Sequence, residues 1–454
     1  MAGQEVRVTV DGWARADLEG VGGGLHKGLW PHVAELHASV EPGAPALCDD
    51  TTTPLAVRRR TAVEHNAATM RDYCAAHGVD LAPHGKTTMS PELTSLQLAH
   101  GAWGVTAATI RQVAVLRRFG VGRIILANEL VDPPGLRWLA GELQRDPGFE
   151  FFCYVDSVPG VDLMTAMLDE AGFPGQVDVL VEVGAQAGRT GCRTPVEVAA
   201  VTDRVLRSAR LRLRGVGAFE GIFAAPGFAQ RAAEPGQNLG PGVFDGRSPD
   251  TVARVRHLLA WARTAFAQLL DAGVLPDDRD AILTAGGSGF FDQVVDVLAP
   301  GWAPRPPVRV VLRSGCYLTH DHGGYRRMSP LDDQRTPGGL RPAIEVWGRV
   351  VSHPEHALAF ADVGRRDVSH DSDLPRALRR RARGADRAVP LDGVTVTALN
   401  DQHAYLATGV PSPLRVGDLV GFGISHPCTT FDKWRVLLVV EDDDTVAGLV
   451  RTWF

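Results

Sequence analysis

Between about residue 52 and residue 290 the chain repeats one unit, a stretch of helical period followed by a short apolar run. TAVEHNAATMRDYCAAHG (61–78) places Val63, Ala67, Met70 and Cys74 at helical spacing and stops at Gly78, so it predicts a helix. VDLAPHGK (79–86) reads as a strand entering a loop. The alternation continues through SPELTSLQLAHG (90–101) and AWGVTAAT, then IRQVAVLRRFG (110–120) and VGRIILANEL (121–130). A helix opened by Pro133-Pro134 precedes FEFFCYVDS (149–157), and one near 159–170 precedes VDVLVEVG (177–184). VEVAAVTDRVLRSA (196–209) precedes LRLRGVGAFEG (211–221), and RVRHLLAWARTAFAQLLDAG (254–273) precedes DRDAILTAGGSG (278–289). Seven or eight such repeats predict an α/β fold built as a parallel (β/α)8 TIM barrel, with a doubly wound sheet as the competitor.

After about residue 305 the texture changes. VRVVLRSGCYLTH, RPAIEVWGRVVSH, HALAFADVG, VTVTALNDQHAYLAT, GDLVGFGIS, KWRVLLVVEDD and TVAGLVRTWF are short, β-rich and bounded by turns, with a helix expected only near 374–383. The expected organisation is therefore an arm at 1–45, a barrel at 46–305 and a mostly antiparallel β domain at 306–454. The arm carries the Gly-rich patch GVGGGLHKG (20–28) and reads either as an addition or as part of the β domain.

Charge and cysteine content narrow the function classes. A formal net charge of −6 argues against wholesale nucleic-acid binding. No apolar run approaches the ~18 residues of a membrane span, and the first residues hold no signal-peptide core. Six dispersed cysteines make no disulfide framework. These features together predict a soluble, cytoplasmic protein. Fifty glycines in 454 residues suit loops that approach a ligand closely, although a compositional bias would give the same excess.

Three stretches carry chemistry. Lys86 in LAPHGKTTMS lies at the end of the first expected barrel strand, where this architecture places reactive groups, and a lysine amine forms Schiff bases with carbonyl compounds. Position alone does not separate it from an ordinary loop lysine. In TAGGSGFFD (284–292) a Gly-rich turn after a strand offers consecutive N–H groups and a hydroxyl to an anion, without the Lys of a Walker loop. In ISHPCTTFDKW (424–434), His426 and Cys428 are two residues apart and suit Zn²⁺, or Cys428 is a buried thiol. Asp401 and His403 in NDQHAYL, and the trio His320, Asp321 and His322, add further candidate ligands or proton-transfer groups.

Taken in order, these motifs resemble the fold-type III pyridoxal-phosphate enzymes, and more narrowly the group of D-serine dehydratases, D-threonine aldolases and D-threo-3-hydroxyaspartate dehydratases. The resemblance runs from about residue 50 to the C-terminus. It rests on PHGKT (83–87), ANEL (127–130), GRTG (188–191), AGGS (285–288), RSGCYLTHD (313–321), DVGRRDVSHD (362–371), NDQHA (400–404) and HPC (426–428). It implies an alanine racemase-like barrel with a C-terminal β domain, assembled as a homodimer. It also implies that Lys86 carries pyridoxal 5'-phosphate as a Schiff base, with Gly286, Gly287 and Ser288 at the phosphate and His84, Arg189 and Tyr317 as further cofactor contacts. His426 and Cys428 would bind zinc, as in the dehydratase branch; the related aldolases carry His-x-Asp there. Two positions depart from the family pattern: Thr88 follows Thr87 where a histidine is common, and Phe219 replaces a tyrosine before Glu220-Gly221.

The resemblance implies a dehydratase that converts a 3-hydroxy-D-amino acid to a 2-oxo acid and ammonia, with Lys86 and His403 as catalytic residues. A metal-assisted D-threonine-type aldolase, an amino-acid racemase and a non-catalytic cofactor-binding protein are the alternatives.

Overall fold

The structure, a computed structural model, describes residues 43–48, 51–224, 246–302 and 306–454. Strand β1 (Leu55–Arg59) leads directly into helix α1 (Arg60–His77). Eight parallel strands follow: β2 (Asp80–Leu81), β3 (Val105–Ala107), β4 (Arg123–Glu129), β5 (Glu150–Val155), β6 (Val177–Val183), β7 (Leu211–Ala218), β8 (Ala281–Ala285) and β9 (Val308–Leu312). They pair in the order β2-β9-β8-β7-β6-β5-β4-β3. The ring closes beyond the two ends of that path. The Trp103 N–H donates to the Leu81 carbonyl at 2.7 Å, the Thr106 N–H to Pro83 at 2.9 Å, and the Thr106 hydroxyl to Ala82 at 2.6 Å. The result is the expected closed barrel.

The helices between the strands are α2 (Pro91–Ala99), α3 (Ile110–Arg118), α4 (Pro133–Arg145), α5 (Val158–Glu170), α6 (Pro195–Leu206), α7 (Pro249–Asp271) and α8 (Phe291–Leu298). Their starts are written in the sequence. Thr109, Asp132, Thr194 and Ser248 each accept a backbone N–H of the first turn, and Thr194 with Glu197 forms a reciprocal capping box. Proline occupies the first turn of α4, α5, α6 and α7, where a missing N–H costs nothing. Inside the barrel, Ala82, Ile125, Phe152, Tyr154, Leu180, Ile282 and Val311 form one buried cluster. Burying a side chain of this size contributes roughly 1.5–3 kcal/mol.

At the N-terminal ends of the strands the barrel is laced by ion pairs. Asp178 accepts from Arg212 at 2.6 Å and from Arg214 at 2.5 Å. Arg214 also donates to the Asp280 carbonyl, and Arg309 bridges Asp280 at 2.7 Å and Asp80 at 2.6 Å. Charges from β2, β6, β7, β9 and the residue before β8 thus neutralise one another around this end.

The second set of elements is the β domain. It contains α9 (Gly324–Met328), β10 (Ile344–Glu355), β11 (Leu358–Ala361), β12 (Arg376–Arg381), β13 (Val389–Pro390), β14 (Val394–Leu399), β15 (Ala404–Thr408), β16 (Leu419–Gly423), α10 (Pro427–Phe431), β17 (Val436–Val440) and β18 (Val446–Arg451). Its sheet runs β13-β12-β16-β10-β1-β17-β18. The far half of β10 pairs instead with β11, which continues to β15 and β14. All pairs are antiparallel except β1 with β17. Trp347 is fully buried against Leu55, Val57, Leu419 and Leu438.

Within the described residues, one compact unit comprises 71–86 and 97–315, and the other comprises 43–48, 51–70, 87–96 and 316–454. This differs from the expected division at 305 and 306. VRVVL (308–312) is the eighth barrel strand, because it finds β8 on one side and β2 on the other. A short apolar β run looks alike in either domain, so only its partners decide. The stretch 51–59 goes the other way: β1 joins the β domain. The helix expected near 374–383 is the strand β12, since pairing with β16 overrides the helix preference of Leu and Arg. Of the arm, residues 1–42 lie outside the described residues, including GVGGGLHKG. Its end at Pro45 bridges Thr445 of the β domain. Among the described residues no helix is long and apolar enough to cross a membrane.

Candidate active site and metal centre

Residues at and just beyond the C-terminal ends of the barrel strands form the first site. His84 lies just after β2, and Lys86 sits in the tight turn Gly85–Thr87. Glu129 ends β4, Glu182 lies one residue from the end of β6, and Phe219 and Glu220 follow β7. Gly286, Gly287 and Ser288 follow β8, and Arg313 follows β9. Tyr154 crosses the barrel above Gly217, where an added Cβ would come within 2.7 Å of its ring. That close approach explains the glycine.

Several polar atoms here are buried without an ordinary hydrogen-bond partner: His84 Nδ1, the Tyr154 hydroxyl and Arg313 Nε, while Glu129 Oε1 and Glu182 Oε2 can be satisfied only by a proton shared between the two carboxyls. Leaving such groups unpaired costs about 1–3 kcal/mol each, so their concentration beside Lys86 marks a place built for a polar ligand. Their charge states follow from the surroundings. Burial holds the His84 imidazolium well below its usual range, and the positive charges of Lys86, Arg313 and Arg189 push the same way. Burial also raises the Tyr154 phenol, so it stays a donor. Glu129 is pushed up to about 8, first by burial and then by the negative Glu182 beside it. Near neutral pH this pair therefore retains a proton.

The Gly-rich turn already holds a side chain of the protein, whose carboxyl is held above its usual range by burial. The Gly286 and Gly287 N–H groups donate to the two oxygens of the buried Glu220 carboxyl, at 2.9 and 2.6 Å. Gly286 has φ +117°, a backbone conformation that favours glycine and turns both amides the same way. The sequence reading gave these two amides to a phosphate, whereas the structure gives them to Glu220. Ser288 is buried beside them. The exposed Arg189 guanidinium lies 4.8 Å from the Phe219 ring centroid. Phe219 thus offers a ring face where the related pattern has a phenol.

The second site lies wholly within the β-domain unit. His426 caps the start of α10, Cys428 lies in its first turn, and Cys316 begins a tight turn at Cys316–Leu318. Nitrogen and sulfur atoms of Cys316, His426 and Cys428 all lie within 4.8 Å of one another. The two sulfurs are 3.5 Å apart, and the Thr87 hydroxyl lies 3.4 Å from Cys428 Sγ and 3.8 Å from Cys316 Sγ. His426 Nδ1 bonds Asp371 Oδ2 at 2.6 Å, and Thr429 donates to the other oxygen of that carboxylate at 2.7 Å. This arrangement orients the ring and leaves Nε2 for a metal, as in carboxylate–histidine–metal triads.

The donor set suits a cation. A hydrogen bond from Cys316 lowers the Cys428 thiol well below its usual range despite burial, with His426 and Thr87 helping. Burial opposes charge on His426, yet Asp371 and Cys428 push it up to about 10. Without a metal the pair is therefore thiolate and imidazolium; a zinc ion would displace the ring proton and take sulfur and nitrogen as ligands.

Other expected residues lie elsewhere. His403 is exposed in the turn between β14 and β15, outside the thiol–imidazole cluster, and Asp401 faces Arg366 at 3.7 Å. His320 is buried and paired with Asp332 at 2.8 Å, while Asp321 accepts the Gly323 and Tyr325 N–H groups. Tyr317 is buried in the turn that carries Cys316. The sequence reading missed Cys316, Asp371, Thr87, Glu220, Tyr154 and the Glu129–Glu182 pair as parts of a site. Asp371 and Cys316 already stood inside quoted motifs, but no local spacing ties them to His426.

Known proteins resemble this chain. Residues 343–440 match the family described as "Putative serine dehydratase domain". D-threonine aldolase from Arthrobacter sp is 26% identical over 414 residues, covering 90% of this chain and 93% of its own. D-threo-3-hydroxyaspartate dehydratase from Delftia sp. (strain HT23) is 30% identical over 165 residues, 36% of this chain and 42% of its own. Its solved structure has a TM-score of 0.67 at 20% identity, covering 89% of this chain and 98% of its own. Its variants include a His→Ala and a Cys→Ala two positions apart, the latter described as metal-free. The structure of D-threonine aldolase from Filomicrobium marinum has a TM-score of 0.69 at 23% identity, covering 91% of this chain and 98% of its own.

Proposed function

We propose that this relative of the D-threonine aldolases and 3-hydroxyaspartate dehydratases is a pyridoxal 5'-phosphate- and zinc-dependent dehydratase of a 3-hydroxy-D-amino acid, releasing a 2-oxo acid and ammonia. The observation that carries the reading is the Cys428 thiol packed against an Asp371-oriented His426. The same His-x-Cys spacing was altered in variants of the dehydratase relative, where loss of the cysteine accompanies a metal-free form. A D-threonine aldolase reading competes, because the Arthrobacter enzyme aligns over 90% of the chain.

The barrel end fits the organic cofactor through its lysine, its basic groups and its unpartnered buried atoms. Bound there, pyridoxal 5'-phosphate would delocalise the negative charge left at Cα, and zinc would polarise the β-oxygen as a Lewis acid. Lys86 would hold the cofactor covalently, and its freed Nζ would take the Cα proton. Arg189 and Ser288 would face the phosphate, with His84 and Tyr317 as further contacts. His84, kept neutral by its surroundings, can accept or donate at Nδ1. His426 and Cys428 would hold the metal. His403 would assist the leaving oxygen. A cytoplasmic homodimer completes the reading.

The test is a product assay on a panel of D- and L-3-hydroxy amino acids. Ammonia with a 2-oxo acid from D-isomers, abolished by a chelator and restored by Zn²⁺, is the expected outcome. Glycine with an aldehyde would establish the aldolase instead, and stereochemical inversion without either product would establish a racemase.

A further inference from the structure

We propose that Cys316 is a third protein ligand, so that the metal centre is a two-thiolate, one-imidazole site with one open position. The inference rests on the reading of His426 and Cys428 as metal ligands and adds a residue to it.

The geometry is that of a ligand set. Two sulfurs on one tetrahedral zinc, each bonded at ~2.3 Å, lie about 3.8 Å apart. Cys316 and Cys428 are separated by 3.5 Å, close to that edge and far beyond the ~2.05 Å of a disulfide. His426 completes a triangle whose corners all lie within 4.8 Å. Cys316 is 4% exposed and sits in a tight turn, so its sulfur is held where it is. The Thr87 hydroxyl lies within hydrogen-bond reach of both sulfurs, and its single proton can be given to one thiolate.

The chemistry follows from ligand count and softness. Two protein ligands hold a metal weakly, whereas three with one open position make the catalytic type of zinc site. Two thiolates neutralise a divalent ion and select soft or borderline cations over Mg²⁺ and Mn²⁺. The open position is where an oxygen of water or substrate can bind.

The experiment compares the wild-type protein with Cys316→Ser, Cys316→Ala, Cys428→Ala and His426→Ala, all purified under reductant and reloaded with metal. Zinc affinity is measured by chelator competition, and Co²⁺-loaded protein is read by its near-ultraviolet sulfur-to-metal charge-transfer band. Both Cys316 variants are expected to bind zinc at least ~100-fold more weakly, beyond the usual loss on removing a second-shell partner. Co²⁺-loaded Cys316→Ser should keep about half the wild-type charge-transfer intensity, one thiolate in place of two. Near-ultraviolet circular dichroism confirms that each variant is folded. Wild-type affinity and full band intensity in a folded Cys316→Ser, with both lost in Cys428→Ala, would overturn the third ligand and leave the two-residue site standing. Wild-type zinc affinity in both Cys428→Ala and His426→Ala would instead remove the metal site on which the proposal rests.

Discussion

The two ends of the barrel are built on opposite rules. At the N-terminal end of the strands, Asp178 pairs with Arg212 and Arg214, Arg309 pairs with Asp280 and Asp80, and Arg214 links the two sets by a hydrogen bond to the Asp280 carbonyl. At the C-terminal end, His84, Tyr154 and Arg313 each keep a buried atom without a partner, and Glu129 and Glu182 face each other. Ion pairs dominate one end, although Arg123 Nε and Arg214 Nε there are also buried without a partner, while unpartnered or proton-sharing groups gather at the other. Conflict between local rules and a stable core is expected where a protein does chemistry. The Glu220 carboxyl, seated in the Gly286–Gly287 turn, has found its hydrogen-bond partners at the reactive end.

This contrast can be broken from either side. The largest effect is expected at the ligand end. Lys86→Ala should reduce lyase turnover at least ~10³-fold and abolish borohydride-fixable cofactor, while changing unfolding free energy by less than about 1 kcal/mol. Turnover assays paired with denaturant unfolding check both halves, and an active Lys86→Ala would remove the catalytic reading of that end. At the opposite end the order reverses. Asp178→Ala leaves the buried Arg214 charge without its carboxylate partner, which should cost about 3–5 kcal/mol of stability. Its kcat/KM per folded molecule should be unchanged; lost turnover in a fully folded variant would erase the distinction between the ends.

The smallest effect sharpens the comparison through pH. Glu129 has a folded-state value of about 8 against 4.5 for an ordinary glutamate. As pH rises through that window the unfolded chain gives up the proton first, so it binds fewer protons than the folded one. The stability contributed by Glu129 therefore falls from about pH 5 to about pH 8. Glu129→Gln in the cofactor-free protein should flatten that slope. Denaturant midpoints at the two pH values measure it, and an unchanged slope would show that the carboxyl pair does not share a proton.

Much of the fold was legible because its signals are local. Thr109, Asp132, Thr194 and Ser248 announce helix starts, and the repeating strand–helix alternation announces the barrel. Lys86 and the His426–Cys428 pair were legible for the same reason, since each sits in a short motif at a strand end or at a two-residue spacing. What was missed is long-range. VRVVL belongs to the barrel because β2 lies beside it, more than two hundred residues earlier in the chain. Asp371 reaches His426 across a separation of 55 residues, and Cys316 reaches Cys428 across 112. Glu220 finds its amides 66 and 67 residues away. No periodicity reports such pairs.

By itself the sequence determined the kind of protein: a parallel barrel with a β domain, a lysine at a strand end, a Gly-rich turn and a His-x-Cys pair. It could do so because helix caps, strand runs and short motifs are set by neighbours in the chain. Tertiary structure alone decided which strand closed the ring, which carboxylate filled the glycine turn, and which second sulfur stood beside Cys428. Those choices depend on burial and on partners brought together by folding, where one unpaired group costs as much as many local preferences contribute.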